Sequence, residues 1–332
     1  MIRLRCLCVV VVFNTLLAVC ASAEPSTQKS ALVGGRLVDG LLGAPIADSV
    51  ILVDGDKIEA VGSVDTLPVP DGYTVISTEG MTVMPGLWDM HVHLMINGHA
   101  NYGHWHKAYL DRFADEIMPA SAEQLLLAGV TTARDLGAPL EASLSVRQRI
   151  NDGDIPGPRL FISGPFIQHK PYPGSEAYRW GVNGVRDARA KVRKLAEAGV
   201  DVIKLVDQDE MTIEEARAVV DEAHSHGLPV VGHSHRPDEI RIGLEIGIDN
   251  FEHTGLAAAP GYPDDIMEAL RERTATGRVR GGPLYWTPTV EGLWRYDEVI
   301  ENDEHLDNTC WHRGHNRRHR RVYRKPQKPS VF

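Results

Sequence analysis

The sequence predicts an α/β protein, a short β module followed by a longer unit in which strands and helices alternate. Three observations carry that expectation. Residues 31–62 hold two apolar runs broken by glycine, the pattern of short strands and tight turns. Beyond residue 120, short apolar runs alternate with helix-type segments that end at glycine, which implies parallel strands joined by helical crossovers. With 332 residues, 43% of them hydrophobic, the chain can also bury a large core.

In chain order, the first element is a leader. Arg3 and Arg5 precede an apolar run over residues 7–19, and Ala21-Ser22-Ala23 forms a small-x-small cleavage site before Glu24. The run is shorter than the ~20 residues needed to span a bilayer. Residues 1–23 therefore read as a signal peptide, with export to a bacterial periplasm or beyond and no stable membrane anchor. A lipoprotein reading would use Cys20, but the bulky Val19 before it fits poorly. Cys6, Cys8 and Cys20 would leave with the leader, and Cys310 would remain alone, so no disulfide framework supports the fold.

The small β domain is expected over residues 31–83. Its strands are read at residues 31–40 and 49–62, with Asp54-Gly55 as the hairpin signal between apolar runs. A strand over residues 81–87 then leads to His91 and His93. Ser121-x-x-Gln124 has capping-box spacing and reads as a helix start, closed by Gly129 before a strand at 130–136. Further strands are read at 159–164, 200–206, 228–232, 248–253 and 284–290. Helices are read at 186–198, from the Thr212-x-x-Glu215 box to Gly227, at 237–246 closed by Gly247, and at 263–273. This makes seven candidate strands in the alternating region.

The chemistry lies at the strand ends. His91 and His93 are spaced i, i+2, which on a strand points both imidazoles to one face, and neutral imidazole is a good ligand for zinc and similar ions. A lone His-x-His is more often a polar loop, so the pair carries weight only with its surroundings. Lys204 sits in an apolar strand with Val202 and Val206 on its own face, where a lysine is costly unless paired or modified; snorkelling to the rim is the bland alternative. His233 and His235 follow the fifth strand of the series, and His253 follows the sixth. In a parallel βα barrel such strand ends converge on one rim. Each histidine alone is more often structural; together, in this order, they favour a metal site. His169 and Arg236 are candidate substrate contacts, with surface roles the stronger reading.

The string Met84-Pro85-Gly86-Leu87-Trp88-Asp89-Met90-His91-Val92-His93 resembles the first-strand signature of the amidohydrolase superfamily. The phrases ending in Lys204, Gly232-His233-Ser234-His235 and Ile248-Asp249-Asn250-Phe251-Glu252-His253 look most like its imidazolonepropionase-like and prolidase-like branch. The resemblance implies a TIM-like (β/α) barrel over residues 84–308, carrying at 31–83 the N-terminal half of a composite β-sandwich. It also implies a divalent metal site, one or two ions and zinc by preference. His91 and His93 would bind one ion, His233 and His253 the other, and Lys204, carboxylated, would bridge them; His235 competes with His233. The implied activity is hydrolysis of an amide-type C–N bond in a small molecule by a metal-activated water, with a dipeptidase or prolidase-like metallopeptidase as the alternative.

The resemblance stops near Asn308. No eighth strand ending in the family's metal-binding, proton-moving aspartate is recognisable, and Asp297, Asp303 and Asp307 lie in a polar stretch. A catalytically impaired metal- or ligand-binding relative is therefore a further expectation, together with exposed apolar surface from Val50 to Val53 where returning strands would pack. All 45 Asp and Glu precede residue 309, and the tail 309–332 is basic against a whole-chain charge of -10. A nucleic-acid arm, a solvated disordered tail and a shifted reading frame are three readings of that tail. The abrupt change of composition favours the last, and no nucleic-acid partner is expected.

Overall fold

The computed structural model describes residues 29–40, 43–96, 102–253 and 262–275. The leader expected at 1–23, the strand expected at 284–290 and the tail 309–332 lie outside the described residues. The chain divides into two compact units, one up to Pro85 and one from Gly86 onward.

The first unit is a five-stranded sheet of β1 (Lys29–Leu37), β2 (Ile46–Asp54), β3 (Lys57–Ser63), β4 (Thr74–Ser77) and β5 (Thr82–Val83). Its order is β3-β2-β1-β4, with β5 also on β1. The β2–β3 hairpin turns on Gly55-Asp56, in register Asp54 with Lys57, one residue later than the Asp54-Gly55 signal implied. Gly55, at φ +59°, takes the first central position, which suits the right-handed twist of the strands. Ala31, Val50 and Leu52 form the small core, with Ala60, Leu67, Val69 and Tyr73 packed on it. The expectation of exposed surface from Val50 to Val53 is thus incorrect. Val50 and Leu52 are buried with Ala31 against Leu67, Val69 and Tyr73, and Ile51, one residue out of phase, is buried on the other face of β2. Ile58 and Val61 on β3 and Val75 and Ile76 on β4 are among the exposed apolar residues.

In the second unit the strand–helix alternation holds. It opens with β6 (Leu87–Val92), followed by α1 (Tyr102–Tyr109), a 3₁₀ turn, a π turn (Phe113–Ile117) and α2 (Met118–Leu127). Ser121 lies inside α2 and makes no cap, contrary to the capping-box reading. Helical turns already precede Met118, so no helix start is left at Ser121 to satisfy. Then come β7 (Val130–Asp135), α3 (Leu140–Asn151), β8 (Arg159–Ile162), β9 (Phe166–Gln168) and β10 (Arg179–Gly181). They are followed by α4 (Val185–Glu197), β11 (Ile203–Val206), α5 (Ile213–Ser225), β12 (Val230–Gly232), α6 (Pro237–Ile246), β13 (Asn250–Phe251) and α7 (Asp264–Ala275). The Thr212 box forms as read: Thr212 Oγ1 accepts from the Glu215 N–H at 3.2 Å, and the Thr212 N–H donates back to Glu215 at 3.1 Å. Gly247, at φ +93°, closes α6.

All pairings among β6 to β13 are parallel. The strand read as 159–164 breaks after Ile162 at Gly164, whose φ is +63°, and resumes as β9. One half therefore pairs with β7 and the other with β11. The Asp201 N–H donates to Ile162 O at 2.9 Å, stitching the halves into one run, β6-β7-β8/β9-β11-β12-β13. Closure into a barrel would depend on strands outside the described residues. Ile203, Leu205, Val219 and Val230 are fully buried in the layer between strands and helices, each worth roughly 1.5–3 kcal/mol of transfer energy.

Gly137, just past β7, illustrates how tightly the rim is packed. A Cβ built there would fall into the Phe166 ring, which is buried and contacts the His93 ring at 5.5 Å. Gly137→Ala is therefore expected to cost about 1–3 kcal/mol, the usual penalty for overpacking. Urea denaturation checks this, and an unchanged midpoint would show that the ring has room to move.

Candidate metal centre

The C-terminal ends of β6, β11, β12 and β13 bring the histidines together. His91 is in β6 and His93 directly follows it, and their Nε2 atoms lie 3.2 Å apart. His253 follows β13 with φ +68°, a left-handed conformation rare for a side chain of this size and typical of functional sites. Its Nε2 is 3.0 Å from His233 Nδ1, and its ring lies 4.9 Å from that of His91. His235 stacks on His253 at 4.0 Å. His233, His235 and His253 each offer a ring nitrogen within 4.8 Å of the others. The geometry thus retains both His233 and His235 as candidates.

Lys204, in β11, is 1% exposed, and its Nζ has no hydrogen-bond partner among the described residues. Burial pulls its ammonium down to about 8. Burial also dominates at the histidines, aided by the Lys204 charge: His93 falls to about 3, His233 to about 2 and His253 to about 3. His91 is lowered as well, although Glu252 opposes the shift. These imidazoles are neutral at physiological pH, the form that binds metal. Closely facing ring nitrogens beside an orphaned buried amine suit a divalent ion of the zinc class.

Supporting groups were missed in the sequence. Glu252 is buried; its Oε2 lies 2.8 Å from His91 Nδ1, and its Oε1 accepts from Arg134 at 2.5 Å and from Asn250 at 2.6 Å. Burial alone would raise this carboxyl, but the His91 hydrogen bond and the charges of Lys204 and Arg134 hold it at about 2. An ionised Glu252 keeps the proton on His91 Nδ1 and leaves Nε2 free as a ligand atom. Gln208 donates to His233 O at 2.8 Å, and Glu239 accepts from the His235 N–H at 2.6 Å. Asp135, at the end of β7, is fully buried and raised by that burial to about 7. Glu252 beside His253 was the one legible signal; Arg134 and Gln208 act from distant points in the chain. Arg236 pairs with Asp209 at 2.6 Å, and His169, just past β9, is exposed.

Parallel strand–helix units with a histidine-rich rim define a class of α/β proteins built to hold a metal at the strand ends. Residues 82–324 match the model of the amidohydrolase family, so the chain belongs to that family. The match runs beyond Asn308, past the last residue at which the sequence resemblance is recognisable.

A structure assigned as a prolidase from Bifidobacterium longum is 29% identical, with a TM-score of 0.60, covering 74% of this chain and 58% of that one. Phenylurea hydrolase B is 23% identical, with a TM-score of 0.65, covering 74% and 63%. The ochratoxinase of A. niger is 22% identical, with a TM-score of 0.60, covering 74% and 64%. The last two likenesses show the fold alone. The chain spans about three-fifths of the length of these structures. No curated protein matches it. Members of the family generally bind divalent metals, and the His233–His235–His253 group is able to hold one. No helix among the described residues is long and apolar enough to cross a membrane.

Proposed function

We propose that the chain is a metal-dependent hydrolase of an amide-type C–N bond in a small molecule, with zinc the preferred ion. The observation that carries this reading is the meeting of His91, His93, His233 and His253 around a buried, unpartnered Lys204. A divalent ion held there supplies a Lewis acid and lowers the pKa of water towards ~7. The chain's own groups do the rest. Glu252 orients His91, and Gln208 and Glu239 fix the backbone that carries His233 and His235. Because burial depresses the Lys204 ammonium, a share of free amine is present near neutral pH. That amine attacks carbon dioxide, forming the N–C bond of a carbamate and releasing one proton. The new carboxylate would satisfy the orphaned position and offer two oxygens for bridging.

The alternative is a dipeptidase; it is favoured by the structural likeness to a protein assigned as a prolidase and to a Xaa-Pro dipeptidase. Zinc-loaded chain assayed on dipeptides against cyclic amides and lactones separates the two. Turnover should vanish with a chelator, return with zinc, and be lost in Lys204→Met. A ¹³C carbamate signal from labelled bicarbonate should be present in the wild type and absent in that variant. Metal binding without turnover of any substrate would instead support the impaired, ligand-binding reading.

The leader is proposed to direct export to the periplasm or beyond. N-terminal sequencing of exported protein should then begin at Glu24, whereas an intact Met1 would rule out cleavage at Ala23.

A further inference from the structure

We propose that Arg179 binds a carboxylate on the substrate, so that the molecule cleaved carries a free carboxylate close to its scissile amide. This deepens the hydrolase reading above and rests on it. Arg179 opens β10, the short strand added to the edge of β9 beside the site. Its guanidinium lies 4.8 Å from the ring centres of both Phe166 and Tyr172 and 5.6 Å from that of Tyr178. Gln168, at the end of β9, accepts from Nη1 at 2.8 Å and holds the group in place.

Among the described residues, Arg179 faces no anion. No described carboxylate pairs with it, whereas Arg134, Arg147, Arg149 and Arg189, also drawn in from the surface, each face one. The aromatic rings stabilise a cation by roughly 0.5–2 kcal/mol but do not neutralise it. A part-buried, uncompensated guanidinium is expensive to keep unless something of opposite charge arrives.

Its position says where that anion would sit. Phe166 is shared: its ring contacts Arg179 on one side of the relationship and His93, at 5.5 Å, on the other. A substrate whose amide reaches the histidines can therefore place a nearby carboxylate on the guanidinium. Arginine is the residue suited to this, because its planar fork matches a carboxylate in two parallel hydrogen bonds. The class that fits is an N-acylated amino acid or a short peptide presenting its C-terminus, rather than a neutral cyclic amide.

The test uses the full zinc-loaded chain and equilibrium binding of the non-hydrolysable N-methanesulfonyl derivatives of alanine, leucine and proline against their carboxamides. The wild type should bind the carboxylates about tenfold or more tightly than the amides, the scale of a charge-assisted hydrogen bond. Arg179→Met should erase that preference with zinc content unchanged, and Arg179→Lys should keep only part of it. Equal binding of the two series by the wild type, or a preference that survives Arg179→Met, overturns the proposal. If Arg179→Met loses zinc or unfolds, Arg179→Lys decides, and an undiminished preference there counts against it. Turnover is scored separately. Arg179-dependent carboxylate binding without hydrolysis would sink the hydrolase reading alone. Hydrolysis of neutral amides with no Arg179 dependence would sink this one alone.

Discussion

Glu252→Leu is expected to destabilise the protein strongly and to weaken its hold on the metal. Arg134 is 2% exposed and meets Glu252 at 2.5 Å. Removing one partner of a buried ion pair typically costs about 3–5 kcal/mol, because the other charge stays buried and uncompensated. Marginal stabilities are of the order of 5–15 kcal/mol, so this loss takes a substantial share. Glu252 also anchors His91 Nδ1 at 2.8 Å. Loss of such an outer contact usually lowers metal affinity about 10–100-fold.

Glu252→Gln separates the two effects. Its carbonyl still accepts from His91 Nδ1, so the ring keeps its orientation, while the charge opposite Arg134 is lost. The glutamine variant should therefore be destabilised, yet bind zinc far better than the leucine variant. Chemical denaturation and zinc competition titrations provide the two readouts. Equal zinc affinity in wild type and Glu252→Leu would remove Glu252 from any role in orienting His91.

That network also marks where sequence reading reached its limit. The strand–helix order was legible because local rules govern it: the Thr212 box, Gly247 after α6, and apolar runs of strand length. Helix α3 was not read. It starts after Pro139 without a side-chain cap, and its sequence has few apolar repeats. Ser121 misled because capping spacing recurs within helices that have already begun. The histidines could be read as a set because each follows a strand of the same parallel sheet, so topology alone brings them together. The Arg134–Glu252 pair spans 118 residues, and nothing local to either residue announces it. Arg179 was invisible for a related reason: its significance is that no described carboxylate faces it, a property only packing reveals.

Double replacement of His91 and His93 by alanine should remove the metal while leaving the fold intact. Their Nε2 atoms face each other at 3.2 Å, and burial keeps His93 neutral, its pKa lowered to about 3. A full zinc site of about four ligands is worth roughly 10–16 kcal/mol at neutral pH. Two ligands lost should then weaken zinc by about 10³-fold or more, since each 1.4 kcal/mol is a factor of ten. The metal-free form should lose little stability, because functional clusters of buried polar groups are usually held at the expense of stability. Metal analysis and thermal melts of the apo forms give both numbers.

The same measurement on single variants decides between the two histidines that geometry leaves level. His233 contacts His253 through Nδ1 at 3.0 Å, whereas His235 stacks on it face to face at 4.0 Å. A ring stacked on a ligand points its nitrogens past that ligand's metal more readily than towards it. His233→Ala is therefore expected to cost zinc affinity heavily and His235→Ala only modestly. The reverse order would move the ligand assignment on the fifth strand of the series from His233 to His235. Unchanged zinc in the His91/His93 double variant would sink the metal assignment at the first strand altogether.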